Sequence, residues 1–137
     1  MSPPLVLYSS AMNQLLAVGI GGFVGAITRH GITIVSRRAY AGPFPVGTFA
    51  VNMMGCFIIG ILMTLVQEKQ MFSLPTRLLV ITGFLGSLTT FSTYGYETMA
   101  LARGDEMGFA IANVLANTIC GLIAVWLGSL TTRLIGT

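Results

Sequence analysis

The stretch Gly83–Glu97, G-F-L-G-S-L-T-T-F-S-T-Y-G-Y-E, decides how this chain is read. It lies inside an apolar run from Leu78 to Ala102 that is long enough to span a bilayer,. Yet Gly83, Gly86 and the run Thr89, Thr90, Phe91, Ser92, Thr93 are poor helix material. β-Branched side chains lose rotamer freedom in a helix, and hydroxyls compete for its backbone groups. Each interior Gly costs roughly 1 kcal/mol relative to Ala. The pattern predicts a spanning helix that is broken near its middle. Freed backbone at membrane depth is tolerated only where it is buried in protein or lines a wet cavity. Such breaks commonly turn carbonyls and amides toward ions, so the site of function is expected here.

Working outward, 54% of the 137 residues are hydrophobic and only 8% are charged, against about 25% charged in a soluble domain. A soluble core of this length cannot hide so much apolar surface, so the fold class is an all-α integral membrane protein. The seven basic residues are scattered, with no run suited to nucleic acid,. Spans are expected at about 14–34, 46–66, 78–102 and 107–130, forming one domain,. Met1–Ala11 has two prolines and no cleavage pattern, so it does not read as a signal peptide and is expected to be dispensable. In the first span Gly21 and Gly25 make a GxxxG pair that lets another helix approach closely,. Cys56 and Cys120 fall inside spans and read as free thiols,.

Four spans put both termini on one side. Lys69, Arg77 and Arg133 belong to that side, and Arg37, Arg38 and Arg103 to the other. Three against three gives the positive-inside rule nothing to act on. That balance points to dual insertion, with two opposed copies pairing as an antiparallel homodimer. The bland alternative is a small chain balanced by chance.

The four spans resemble those of the small bacterial fluoride-channel family (Fluc or CrcB type). The resemblance covers about Met12–Leu130. It rests on G-I-G-G-F-V-G-A-I-T-R in the first span, G-T-F-A-V-N-M-M-G in the second and G-F-L-G-S-L-T-T-F-S-T-Y in the third. It implies an antiparallel homodimer in the bacterial inner membrane, with two narrow pores that passively export fluoride from the cytoplasm. It also implies a structural sodium ion at the dimer centre, held by backbone carbonyls that match Gly86 and Thr89.

Each remaining candidate has a functional and a plain reading. Phe91 and Tyr94 are three apart and share a helical face,. A ring edge is positive and can meet a dehydrated anion; packing in lipid is the plain reading. The resemblance makes Phe91 a pore residue, while Tyr94 stands where the family usually has a second Phe. Asn52 offers amide donors to an anion or glues helices together, and the resemblance places it in the pore. Asn113 and Asn117 stack on one face of the fourth span and extend a polar track, which stops at Gly121 and Val125. Ser92 and Thr93 either donate to fluoride or bond back into their own helix. Arg29 and Glu97 are the two charges within spans, and such residues are functional by default. Arg29 reads as a vestibule residue that concentrates anions or as a snorkelling anchor. Glu97 sits near the pore mouth or faces away from it.

Two other functions compete. A small dual-topology proton-coupled exporter needs a mid-membrane carboxylate, for which Glu97 is the only candidate. A non-transporting assembly subunit leaves the polar break unexplained. His30 has no Cys or Ser partner at a useful spacing, and nothing else resembles an enzyme's catalytic set.

Overall fold

The computed structural model describes Leu5–Ile135; Met1–Pro4 of the expected extension lies outside the described residues. Helix α1 (Leu5–Ala39) and helix α2 (Val46–Lys69) are continuous. The third span is built of α3 (Leu74–Arg77), a π-helical segment (Leu78–Leu85), α4 (Gly86–Leu88) and, after a two-residue break, α5 (Phe91–Arg103). Helix α6 (Met107–Ile135) completes four spans long and apolar enough to cross a membrane. The 35 residues of α1 measure about 52 Å at 1.5 Å each,. That exceeds a ~30 Å hydrocarbon core, which is why α1 outruns the expected 14–34. Its last turn carries Arg37 and Arg38, favourably placed against the helix dipole,.

Small residues set the packing. α1 lies along the π segment and α2 along α6, while α5 also packs on α6. A Cβ on Gly21 would collide with the Leu79 carbonyl, and one on Gly25 with the Phe84 carbonyl. Gly83 answers from the other helix, where an added Cβ would stand 2.6 Å from the Val18 carbonyl. The α2–α6 seam repeats the device, with Gly60 against the Val125 carbonyl and Gly128 against the Phe57 carbonyl. Across that seam the Ser129 hydroxyl donates to the Gly60 carbonyl at 3.2 Å. Close backbone approach supplies van der Waals contact and Cα–H···O attraction where lipid removes any hydrophobic gain between helices.

The GxxxG expectation is therefore met, but Gly83 acts differently from the role expected of it. It packs the π segment and does not break the helix. Gly86 is helical too. The chain leaves helical geometry only at Thr89 (φ −84°, ψ 157°) and Thr90 (φ −151°, ψ 119°). Phe91, Ser92 and Thr93 form the first turn of α5, capped by the Thr90 side chain, which accepts from the Thr93 N–H at 3.2 Å. Hydroxyl residues that disfavour a helix interior are well suited to its start.

The C-terminal ends of α2 and α6 meet on one side, where Arg133 of α6 bridges Glu68 of α2 at 2.6 Å. A small apolar cluster of Val51, Leu85 and Leu88 packs beside the break. Only 11–22% of each span's most apolar window is buried within the subunit. The rest of that surface requires lipid or another copy of the chain.

The glycine seams make a direct prediction. Gly60→Val must push backbone against backbone and should destabilise the fold by about 1–3 kcal/mol. Gly19→Ala, whose new methyl meets nothing within 4 Å, should leave it unchanged. Thermal unfolding in detergent measures both.

Candidate ion pathway

At the break, Thr89 and Thr90 cannot use all their backbone groups within a helix, and in a membrane those groups must be paired elsewhere. The Thr89 N–H still reaches the Leu85 carbonyl at 3.1 Å. The Thr90 N–H, which in an unbroken helix would serve the Gly86 carbonyl, donates instead to Asn52 Oδ1 at 3.0 Å. Asn52 Nδ2 in turn donates to the Thr90 carbonyl at 3.4 Å and to Asn117 Oδ1 at 3.1 Å. Because the backbone N–H of Thr90 is a donor only, it fixes which way the Asn52 amide points.

The network continues down α6. Asn117 Nδ2 donates to Asn113 Oδ1 at 2.9 Å, and Asn113 Nδ2 donates to Thr98 Oγ1 at 2.8 Å. Thr98 closes the line by donating to the Tyr94 carbonyl at 2.8 Å. Asn113 has 0% of its surface exposed, so it is the buried link of this ladder. The stacking of Asn113 and Asn117 expected from their spacing is present.

A groove of about 490 Å³ opens beside the break, with Asn52, Thr89, Thr90, Phe91, Tyr94 and Asn117 in its wall. The Phe91 and Tyr94 rings stand 5.5 Å apart, tilted by 54°. Phe91 is 82% exposed, an unusual position for an aromatic that merely packs within its own subunit. Thr118 and Cys56 also line the groove.

On the other side of the third span lies a second cavity of about 220 Å³. Arg29, His30, Arg37, Thr93 and Glu97 line it, and Thr90 borders both spaces. Arg29 Nη1 donates to the Thr89 carbonyl at 3.4 Å. Thr48 shares this lining with Arg37 and Glu97, and Glu97 Oε2 is buried without a partner. The sequence candidates thus divide. Asn52, Phe91, Tyr94 and Asn117 face the groove; Arg29, Thr93 and Glu97 face the cavity. Ser92 lies 3.3 Å from Thr90 Oγ1, which also donates to the Thr93 hydroxyl at 3.1 Å. Both hydroxyls thus meet the capping side chain of Thr90, and Thr93, which accepts there, keeps its own proton to give,.

Thr90, the hub of the break, enters the sequence reading only as helix-averse material, and Thr48, Thr98 and Thr118 are given no role there. Thr90, Thr98 and Thr118 stand next to Phe91, Glu97 and Asn117, and Thr48 lies four residues before Asn52; that proximity was the available signal. As for a metal, no cluster of three or more His, Cys, Asp or Glu exists among the described residues. The carbonyls of Gly86 and Thr89 suit a hard cation better. Gly86 has lost its helical donor, and Thr89 uses one lone pair on Arg29 and retains a second,. Cys56 and Cys120 are both free.

Comparison with known proteins agrees with this arrangement. The family model described as "CrcB-like protein, Camphor Resistance (CrcB)" matches residues 16–129. A protein of Chloroflexus aurantiacus is 40% identical over 117 residues, covering 85% of this chain and 93% of its own. One from Acidobacterium capsulatum is 40% identical over 115 residues (84% and 92%). One from Clostridium perfringens is 37% identical over 120 (88% and 94%). Each of these relatives is named "Fluoride-specific ion channel FluC". With the second span, the broken third span and most of the first and fourth inside the matched region, the chain belongs to the CrcB family.

Proposed function

We propose that this chain is one subunit of a fluoride-selective channel that passively exports fluoride from the bacterial cytoplasm across the plasma membrane. The observation that carries the reading is the broken third span, which gathers neutral donors and ring edges at membrane depth in a family whose relatives bear that name. Fluoride is small and strongly hydrated, so a pore must replace its water with several donors at once. Amides, hydroxyls and aromatic edges do this without a fixed positive charge that would hold the ion too tightly. Conduction needs binding favourable enough to enter and weak enough to leave.

The residues divide the work. Arg29, in the wet cavity, raises the local concentration of anions, with Thr93 and Glu97 beside it. Phe91 and Tyr94 offer ring edges, and Asn52, Ser92, Thr93, Asn113 and Asn117 form the polar track. The working unit is an antiparallel homodimer with two pores. Its support is the balanced loop charge, the open groove and a Phe91 that its own subunit leaves uncovered. At the dimer centre the Gly86 and Thr89 carbonyls of both copies would hold a structural sodium ion. Its charge offsets the mutual repulsion of two nearby anion paths.

Fluoride efflux from liposomes containing the purified protein, with chloride as the control, tests the function; equal efflux of both ions would rule it out. Within that assay Phe91→Ile should slow fluoride by about tenfold, the worth of one ring-edge contact of roughly 1.4 kcal/mol, while the dimer still forms. Tyr94→Phe keeps the ring and should be nearly silent; a large loss there would make the hydroxyl the working group. Under symmetrical fluoride, an imposed sodium gradient should leave the reversal potential unmoved. A shift would mean coupled transport in place of a channel.

A further inference from the structure

We propose that Asn52 is a positioning residue whose carboxamide stands in for a missing peptide group: it pairs with both backbone groups of Thr90, holds the third span open, and thereby keeps the Gly86 carbonyl free. Three observations support this role. Its oxygen takes the Thr90 N–H at 3.0 Å, diverting the one donor that would close a helical bond onto Gly86. Its nitrogen commits both protons, to the Thr90 carbonyl at 3.4 Å and to Asn117 at 3.1 Å, so an ion that takes a proton from Asn52 must displace one of these bonds. Its partner Asn117 is itself held by the wholly buried Asn113, so the amide cannot swing away without breaking a ladder of three asparagines.

The alternative state is specific. Without Asn52, the Thr90 N–H has one nearby acceptor that restores helical geometry, the Gly86 carbonyl, because an unpaired N–H in this environment is costly. Closing that bond would consume the oxygen proposed to hold sodium. The consequence for sodium rests on the proposed site; the pairing of Asn52 with the break does not. Asn52 is thus a support for carbonyl ligands contributed by another helix, a role that second partners of metal ligands commonly fill.

The sequence offers a clean probe. Gly-Ser occurs only at Gly86–Ser87 and Gly128–Ser129. Protein made with carbonyl-¹³C glycine and ¹⁵N serine therefore gives two carbonyl signals, and Gly128, inside α6 with its carbonyl also accepting from the Thr132 hydroxyl at 3.2 Å, serves as the hydrogen-bonded helical reference. In the wild-type dimer the Gly86 signal should sit apart from that reference and move when sodium replaces N-methylglucamine. In Asn52→Leu it should shift toward the helical reference and cease to respond, with sodium affinity falling by about tenfold or more. In Asn52→Asp, which keeps an acceptor for the Thr90 N–H, it should stay near the wild-type position. A Gly86 signal unchanged in Asn52→Leu would overturn the proposal, leaving Asn52 as an anion donor alone. Should the leucine variant fail to assemble, a helical Gly86 signal in Asn52→Asp would overturn it equally. A wild-type signal indifferent to sodium, combined with the expected shift in Asn52→Leu, would remove the sodium site and leave the role of Asn52 standing.

Discussion

In hydrocarbon every peptide group must find its partner within the protein, and Thr89 and Thr90 are where this chain meets that demand without a helix. The solution is local and uses few residues. One side-chain amide replaces a turn of backbone, and the Thr90 hydroxyl caps the first turn of α5. With Asn52 apolar and the break held open, two backbone groups of Thr90 would lie unpaired beside the apolar cluster of Val51, Leu85 and Leu88. Each would cost about 1–3 kcal/mol by mutational measures and more by transfer to hydrocarbon. The break and the asparagine ladder are thus one structure, because neither satisfies its polar groups without the other.

Around that centre the packing is built from backbone rather than from side chains. The π segment has an i→i+5 bonding pattern, which turns the carbonyls of Leu79 and Phe84 toward Gly21 and Gly25 of α1,. An α-helical register would present the downstream residues at a different angle, so the π segment also sets the direction in which Gly86 and Thr89 face. The glycine seam between α1 and the π segment holds this phase. Gly55 of α2 contributes at the break itself, where an added Cβ would collide with the Thr89 methyl.

The four spans, the GxxxG contact and the presence of a break were legible because each rests on composition or spacing that only one structure satisfies. The position of the break was not. The whole run Thr89–Thr93 looks helix-averse by propensity, yet Phe91, Ser92 and Thr93 start α5, because a capping Thr at position 90 converts a liability into a favourable first turn,. Gly83 misled for a related reason: propensity penalises a glycine for flexibility, whereas a tight helix pair in lipid favours it for having no side chain. The π segment left no signature, since L-L-V-I-T-G-F-L is equally apolar in either helical form. Asn52, Asn113 and Asn117 stood out as polar groups in apolar spans, but single-span spacing carries no sign of the ladder between α2 and α6. The pairing of Asn52 with Thr90 spans 38 residues and depends on the tertiary fold.

The break also changes what a single helix can face. A continuous third span would present Phe91 and Glu97, six residues apart, at fixed angles set by one axis. The helix is interrupted before Phe91, and Thr90 borders two spaces at once. One wall carries rings and amides and no charge, and the other carries Arg29, Arg37 and Glu97. That separation has an electrostatic logic. Charges in water-filled space are screened and act as a field, gathering ions without fixing them. Charges placed where water is excluded would bind an opposite ion far more strongly, since the interaction scales inversely with the dielectric. Arg29, in the lining of the charged cavity, donates to the carbonyl of Thr89, a residue that borders the neutral groove. The two residues between α4 and α5 therefore stand between a cavity lined by charged side chains and a groove lined by neutral ones.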